Sequence, residues 1–295
     1  MIRGHFCFYV QQTTLKYGRK KFNLYFEMKK KGPSEDTNNS DPASSYFKLQ
    51  ASWGLTKHMG GRKATRELME SCKIDKSSYV LDIGSGVGIT ACLIAKEYGC
   101  RVTGIDLSDI MVKRARERAE RKGVEDKVEF QTADAENLPF ADNIFDAVVS
   151  ESVNAFMNDK QKAVNEYKRV LKPGGYAGFN EVTWVETAPE DLESYLHLAL
   201  GGGKFLTPGG WKSLLEDAGF SDIVSKVYKT NAWRQWTEEV KQMDPGDFLK
   251  AWRQFISLYF KSREIRRYIK EISRPPCSIL RIFRYFGYGL YIGRK

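Results

Sequence analysis

The 295-residue sequence lacks any apolar run approaching the ~20 residues of a membrane-spanning helix. It also has little cysteine: the five residues, at positions 7, 72, 92, 100 and 277, show neither disulfide-framework nor zinc-ligand spacing. A secretory leader needs a longer apolar stretch than Phe6 to Val10, which Gln11 ends. These absences predict a cytoplasmic protein of a reducing compartment, with no metal site and no membrane span.

The most informative stretch that is present runs from Tyr79 to Gly88. An apolar run ends in Asp82, and three alternate glycines follow: Gly84, Gly86 and Gly88. This pattern predicts a buried strand that turns tightly into a helix. Glycines here allow positive φ and let a ligand lie against bare main chain. We therefore expect a nucleotide-like cofactor.

Spacing and charge narrow the choice of cofactor. A dinucleotide site places glycines first, third and sixth, but the sixth position counted from Gly84 is Ile89. The carboxylate of Asp82 would repel a pyrophosphate and attract a cation. S-adenosylmethionine carries an ammonium and a sulfonium and no phosphate, so it fits better than a nicotinamide dinucleotide.

Further strands follow at regular intervals. Residues 101–106 predict a second strand ending in Asp106, whose carboxylate suits ribose hydroxyls about twenty positions past a glycine turn; capping of the next helix is the alternative. Residues 127–131 predict a third strand, and residues 145–150 a fourth that leads to Glu151. A fifth follows the Pro-Gly-Gly turn at residues 173–175, and residues 223–228 predict a sixth.

Together these motifs resemble the class I S-adenosylmethionine-dependent methyltransferases, specifically the small-molecule branch of the ubiquinone and menaquinone enzymes. The resemblance covers roughly residues 46–183. It implies that an N-terminal helical segment closes over the cofactor and that residues 151–154 face the methyl group. The cofactor-binding residues it implies are Tyr46, Gly60, Asp82, Gly84, Ser85, Gly86, Asp106, Leu107, Met111, Asp134, Ala135 and Glu151.

Several of these residues have structural alternatives. Asp134 and Ala135 would contact the adenine, but a loop aspartate often binds its own backbone. Met111 could equally be plain core. In-line methyl displacement needs mainly alignment, so the catalytic residue stays unassigned, with His58, Glu151 and Asn154 as candidates.

The predicted fold is α/β: a doubly wound, mainly parallel seven-stranded sheet, Rossmann-like, whose last strand (286–292) is antiparallel. A helical insertion or lid is expected at 230–280, with an apolar face that packs on the sheet, on a second subunit or on the acceptor. Residues 46–295 form the methyltransferase domain, with cap helices at 46–75 and a cofactor-binding core at 76–184. Residues 1–45 are expected to be disordered or a mispredicted extension, with natural translation starting at Met28.

The expected function is methyl transfer from S-adenosylmethionine to a small, apolar or aromatic acceptor; a homodimer is compatible with the pattern. The net charge of +10 permits an anionic partner, but Glu117 and Glu120 interrupt the basic residues 113–122. We expect that helix face to be solvated and no nucleic acid to bind. The alternatives are a nicotinamide-dependent oxidoreductase, an RNA-directed methyltransferase and a non-catalytic cofactor-binding protein.

Overall fold

The structure, a computed structural model, describes residues 42–53, 58–229, 231 and 245–295. The expectations for residues 1–41, including the start at Met28, lie outside the described residues, and the proposed extent of the domains stays a prediction. Within the described ranges, no helix is long and apolar enough to cross a membrane. The same ranges contain no cluster of three His, Cys, Asp or Glu side chains that could hold a metal ion.

Seven strands form one sheet in the order β3-β2-β1-β4-β5-β7-β6. β1 to β5 pair in parallel, and β7 runs antiparallel to both β5 and β6. This confirms the predicted fold class, including the reversed last strand. The strands are Tyr79–Ile83 (β1), Arg101–Asp106 (β2), Val128–Thr132 (β3), Phe145–Glu151 (β4), Leu171–Trp184 (β5), Ser221–Lys229 (β6) and Phe286–Arg294 (β7).

Helices precede and connect these strands. They are Pro42–Trp53 (α1), Gly61–Ser71 (α2), Ile89–Tyr98 (α3), Asp109–Lys122 (α4), Lys160–Val170 (α5), Glu190–Ala199 (α6), Pro208–Asp217 (α7), Pro245–Lys261 (α8), Arg263–Ile272 (α9) and Ile282–Tyr285 (α10). Short 3₁₀ helices cover Asn154–Phe156 and Cys277–Arg281.

Helix ends follow local side-chain chemistry. The hydroxyls of Ser108 and Thr207 accept the backbone N–H of Met111 and Gly210, which caps α4 and α7. Gly123 ends α4 in the left-handed conformation that glycine adopts without strain. The order of the strands reverses between β1 and β4, and ligands of such sheets bind at the carboxyl ends beside this switch point.

The core lies on both faces of the sheet. Val80 of β1 packs in one cluster with Leu68 of α2 and Ala91 of α3. Leu81, its neighbour in sequence, points the other way and packs in a second cluster with Tyr167 of α5. Because side chains alternate along a strand, Asp82 shares the face of Val80, under α2 and α3.

The basic helix α4 is tied into the fold by its arginines. The guanidinium of Arg118 is buried and donates to the carbonyl oxygen of Val87 at 2.9 Å, and Arg116 donates to that of Phe130. Arg114 donates to the carbonyl oxygen of Ala51 in α1. The prediction of a solvated face is therefore wrong for Arg118, whose buried guanidinium holds α4 against the glycine turn through Val87.

Candidate active site

Carboxylates end three neighbouring strands at the same edge of the sheet. Asp82 lies one residue before the end of β1, Asp106 ends β2 and Glu151 ends β4. Backbone pairing sets Asp82 opposite Gly104 and Val149, so the strands are in register at this edge. The edge therefore concentrates negative charge beside the switch point.

The turn after β1 needs its glycines. Gly84, Gly86 and Gly88 have φ of 62°, 54° and 77°. A Cβ at Gly84 would lie 2.5 Å from a methyl group of Val153, closer than real carbon contacts come. The turn is thus built from left-handed positions and packs tightly against the segment that follows β4.

Asp106 holds this turn from the neighbouring strand. Its carboxylate accepts the N–H of Gly86 at 3.0 Å and the N–H of Ser108 at 2.9 Å. Burial raises the pKa of Asp106, and these two hydrogen bonds oppose that shift. The predicted alternative was a helix cap; the cap itself is Ser108, which Asp106 supports.

Asp82 is the most strongly perturbed acid of this edge. Its residue is 2 % exposed, and its Oδ2 has no hydrogen-bond partner. Burial raises the pKa of Asp82 well above its usual range, and the nearby charge of Glu151 adds to the shift. The buried hydroxyl of Ser85 also lacks a hydrogen-bond partner. Two buried polar groups beside the turn could therefore bind a ligand.

Glu151 is the centre of a buried hydrogen-bond network. Its carboxylate accepts from the hydroxyls of Thr65 at 3.0 Å and Thr90 at 2.7 Å, and from the amide of Asn180 at 3.0 Å. His58 Nδ1 lies 3.5 Å from Glu151 Oε1. The network joins α2, α3, β4 and β5 around one carboxylate.

Sequence reasoning placed His58 and Glu151 in the site, and the structure brings them together. It missed Thr65, Thr90 and Asn180, which hold the Glu151 carboxylate. A signal was available for Asn180 alone of these three, because it and Glu181 are polar residues between the apolar Phe179 and Val182 of β5. The two threonines sit on helices and become neighbours of Glu151 only through the tertiary fold.

Asn154, the third catalytic candidate, is placed differently. Its side-chain oxygen accepts from the hydroxyls of Tyr167 at 2.9 Å and Ser150 at 3.2 Å, on the α5 side of the sheet. Its backbone N–H donates to Glu181 at 2.8 Å. The side chain is fully buried, so the structure gives Asn154 a role in holding the turn after β4.

The expected adenine and ribose contacts lie around the ends of β2 and β3. Asp134 is exposed and accepts the N–H of Glu136 at 2.9 Å, the self-bonded arrangement considered for it. Ala135 is half-buried and Met111 is buried in the first turn of α4. Leu107 is 74 % exposed directly after β2.

The cap residues contact the rest of the site through aromatic rings. Tyr46 of α1 stacks on Phe156, with ring centroids 5.8 Å apart, and Phe47 meets the same ring edge-on at 5.5 Å. Gly60 precedes α2 with φ of 79°, and a Cβ there would collide with the ring of Tyr288. Tyr46 therefore borders the turn after β4.

Glu181 anchors that turn from β5. Its carboxylate accepts the N–H groups of Val153 at 3.1 Å and Asn154 at 2.8 Å, while its Oε2 has no partner. Complete burial raises the pKa of Glu181 to about 8. Nearby, burial lowers the pKa of Lys160 to about 8.

A pH dependence of stability follows from Glu181. Between its ordinary pKa of 4.5 and about 8, the folded protein keeps a proton that the unfolded chain releases, so stability falls as pH rises. Glu181→Gln, neutral throughout, should flatten this fall in urea unfolding measured from about pH 5 to about pH 8. The control Glu166→Gln removes a carboxyl whose pKa is lowered, and should leave the slope in this window unchanged. An unchanged slope in Glu181→Gln would contradict the assignment.

Comparison with known proteins identifies relatives of this chain. A family model described as a methyltransferase domain matches residues 81–179. An uncharacterized protein of Haemophilus influenzae is 32 % identical, over 56 % of this chain and 66 % of its own length. A sarcosine/dimethylglycine N-methyltransferase of Halorhodospira halochloris is 29 % identical over 62 % and 66 %. A sterol 24-C-methyltransferase of Pneumocystis carinii is 31 % identical over 63 % and 50 %.

Solved structures share the fold. The cyclase SpnF superposes with a TM-score of 0.66 and 22 % identity, over 85 % of this chain and 92 % of SpnF. A methyltransferase of Geobacter sulfurreducens in complex with S-adenosylhomocysteine gives 0.62 and 19 %, over 84 % and 96 %.

The fold is the Rossmann-like fold of S-adenosylmethionine-dependent methyltransferases. Within it, residues 81–179 belong to the methyltransferase domain family, which confirms the class I resemblance that the motifs from Asp82 to Gly175 predicted. The chain spans just under two thirds of the length of the first curated relatives that it matches.

Proposed function

We propose that this protein transfers the methyl group of S-adenosylmethionine to a small acceptor at the carboxyl ends of β1, β2 and β4. The observation that carries the proposal is the glycine turn fixed by Asp106 beside the unpartnered oxygen of Asp82. A buried carboxylate with one oxygen unpartnered favours a cationic ligand, and the glycines leave main chain exposed to it.

The cofactor fits the residues present. Asp82 Oδ2 and the hydroxyl of Ser85 are buried and unpartnered, so a ligand with donor groups would satisfy both. We assign Asp82 and residues 84–86 to its methionine part, Asp106 and Leu107 to the ribose, and Met111, Asp134 and Ala135 to the adenine. When bound, the cofactor supplies an electrophilic methyl group on a positively charged sulfur.

The role of the chain is then to orient and to exclude water. Thr65, Thr90 and Asn180 fix Glu151 through hydrogen bonds, and the carboxylate provides negative charge beside Asp82. Because these hydrogen bonds fix its position, the Glu151 carboxylate is already oriented to stabilise a positively charged ligand. His58, at 3.5 Å from Glu151, is the group placed to accept a proton from an acceptor.

The acceptor that we propose is apolar or aromatic in part. The rings of Tyr46, Phe47 and Phe156 pack on one another directly after β4, which gives the acceptor end of the site an aromatic border. A sterol 24-C-methyltransferase among the relatives agrees with such an acceptor, whereas the sarcosine/dimethylglycine enzyme acts on small polar amines.

Incubation with S-adenosylmethionine labelled in its methyl group tests this proposal. We expect label in phenolic or sterol-like acceptors and in apolar extracts, and none in sarcosine. Phe156→Ala should raise the acceptor KM about tenfold or more, because a half-buried aromatic face is lost, and should leave S-adenosylhomocysteine affinity unchanged. Transfer to sarcosine alone would overturn the acceptor class. Cofactor binding without transfer to any acceptor would support the non-catalytic alternative.

A further inference from the structure

Residues 252–285 form a strongly basic segment. They contain nine Lys or Arg against two Asp or Glu. This stretch covers most of the described part of α8, all of α9 and the following turns. Such concentration in one segment indicates a surface that meets an anion.

Helix α9 separates its apolar and basic residues. Ile265 and Tyr268 are buried, and the Tyr268 hydroxyl donates to the carbonyl oxygen of Ala199 at 2.7 Å. Arg263, Arg267 and Lys270 are exposed, at spacings of four and three residues, so they share the opposite side. None of the three forms an ion pair with a residue in the described ranges.

Helix α8, which directly precedes α9, carries exposed apolar side chains. Trp252 and Ile256 are each 48 % exposed and Phe260 is 74 % exposed, at spacings of four residues along one side. Arg266 donates to the carbonyl oxygens of Tyr259 and Phe260, both at 2.8 Å, which fixes the corner between the helices. The apolar row ends at Phe260, three residues before Arg263.

We infer that this surface docks onto the headgroup region of an anionic lipid bilayer. The α8–α9 surface is defined by Trp252, Ile256, Phe260, Arg263, Arg267 and Lys270. Exposed aromatic and aliphatic side chains enter the boundary between headgroups and acyl chains, while neighbouring Lys and Arg bind anionic headgroups. The two features lie on consecutive helices, and the corner between these helices is fixed by hydrogen bonds from the Arg266 side chain to backbone carbonyls.

Two other occupants fit less well. A second copy of the chain would bring two strongly basic segments together, and like charges repel across such an interface. RNA phosphates would bind the arginines, and RNA bases would stack on Trp252 or Phe260. RNA would not cover the exposed aliphatic side chain of Ile256. Lipid satisfies the charged, aromatic and aliphatic residues together.

The surface is connected to the proposed acceptor end. Both α8 and α9 pack on α1, the helix whose Tyr46 stacks on Phe156. Docking through α8 and α9 would therefore hold the aromatic border of the site near the bilayer, where apolar acceptors dissolve. The inference itself does not rest on the proposed function, since lipid binding is measured without turnover.

Vesicle co-sedimentation of the full chain tests the inference. We expect binding to vesicles of phosphatidylcholine mixed with phosphatidylglycerol, weakened by salt, and much weaker binding to phosphatidylcholine alone. Reversing the charge in Arg263→Glu, Arg267→Glu and Lys270→Glu together should weaken binding about a hundredfold or more. Phe260→Ser should weaken it about tenfold, and its exposure should leave folding intact.

The matched control reverses three exposed lysines at the amino-terminal edge of the sheet, Lys76→Glu, Lys122→Glu and Lys127→Glu. This variant has the same net charge and should keep most of the vesicle affinity. Equal loss of vesicle affinity in both triple variants would show that binding depends only on the net charge of the protein, and would overturn the inference. Retained binding in the α8–α9 variant, or binding to single-stranded RNA without binding to vesicles, would also overturn it.

Discussion

Replacing Asp106 with alanine is expected to weaken S-adenosylhomocysteine binding by about tenfold or more, as measured by equilibrium dialysis. The carboxylate accepts the N–H groups of Gly86 and Ser108, so its loss loosens the glycine turn and weakens the support of Ser108, the cap of α4. A hydrogen bond to a charged group contributes about 1.5–3 kcal/mol, and about 1.4 kcal/mol already corresponds to tenfold in affinity. Any bond to the ribose is lost as well.

Two further variants separate binding from folding. Asp106→Asn keeps one acceptor oxygen and should fall between wild type and alanine. Asp126→Ala removes an exposed carboxylate from the turn between α4 and β3, at the other end of the sheet, and should leave the affinity unchanged. Wild-type affinity in Asp106→Ala would contradict the assignment of the site to the strand ends.

Glu151→Gln is expected to weaken the binding of S-adenosylmethionine more than the binding of S-adenosylhomocysteine. S-adenosylmethionine is positively charged at sulfur, whereas S-adenosylhomocysteine is neutral there. Removal of the Glu151 charge should weaken binding of the charged form by about tenfold or more and of the neutral form by about threefold or less. The glutamine keeps the shape of the side chain, so the hydroxyls of Thr65 and Thr90 retain one acceptor.

A matched variant controls for this comparison. Glu67→Gln removes a carboxylate that binds Tyr228 and Lys226 outside the strand-end network, and it should not change the ratio of the two affinities. Glu151→Asp, which keeps the charge, should preserve much of the discrimination. An equal loss of both ligands in Glu151→Gln would show that Glu151 only supports the fold.

Sequence reasoning predicted most of the sheet because alternation and spacing are local properties. The strand that ends at Asp106, the glycine turn and the last strand, β7, all follow from patterns within about ten residues, whereas the reversed direction of β7 is a property of the whole fold class. The network around Glu151 could not be predicted in the same way. Thr65, Thr90 and Asn180 come from three separate elements, and only the packing of α2 and α3 on the sheet makes them neighbours.

Two positions three residues apart illustrate the limit of pattern reasoning. Glu151 and Asn154 were equivalent candidates, yet Glu151 joins the network under α2 and α3 while Asn154 bonds to Tyr167 of α5. The difference arises because the chain turns through a 3₁₀ helix after β4. Likewise, the periodicity of α8 predicted an apolar face but not its partners, which are α1 and α9.

The fold does not determine which reaction this protein catalyses, so the reaction has to be measured. SpnF, which shares the fold at a TM-score of 0.66, is a cyclase, so architecture alone does not decide which reaction occurs at the strand ends. Cofactor binding and methyl transfer therefore need separate experiments, and cofactor binding is the first to measure.

Calorimetric titration of the intact protein with S-adenosylhomocysteine and, separately, with NADH distinguishes the proposed methyl-donor site from a dinucleotide site. We expect one site with micromolar affinity for S-adenosylhomocysteine, about −8 kcal/mol, and no binding of NADH, because Asp82 and the missing sixth-position glycine oppose a pyrophosphate. Binding of NADH without binding of S-adenosylhomocysteine would contradict this expectation and favour a nicotinamide-dependent oxidoreductase.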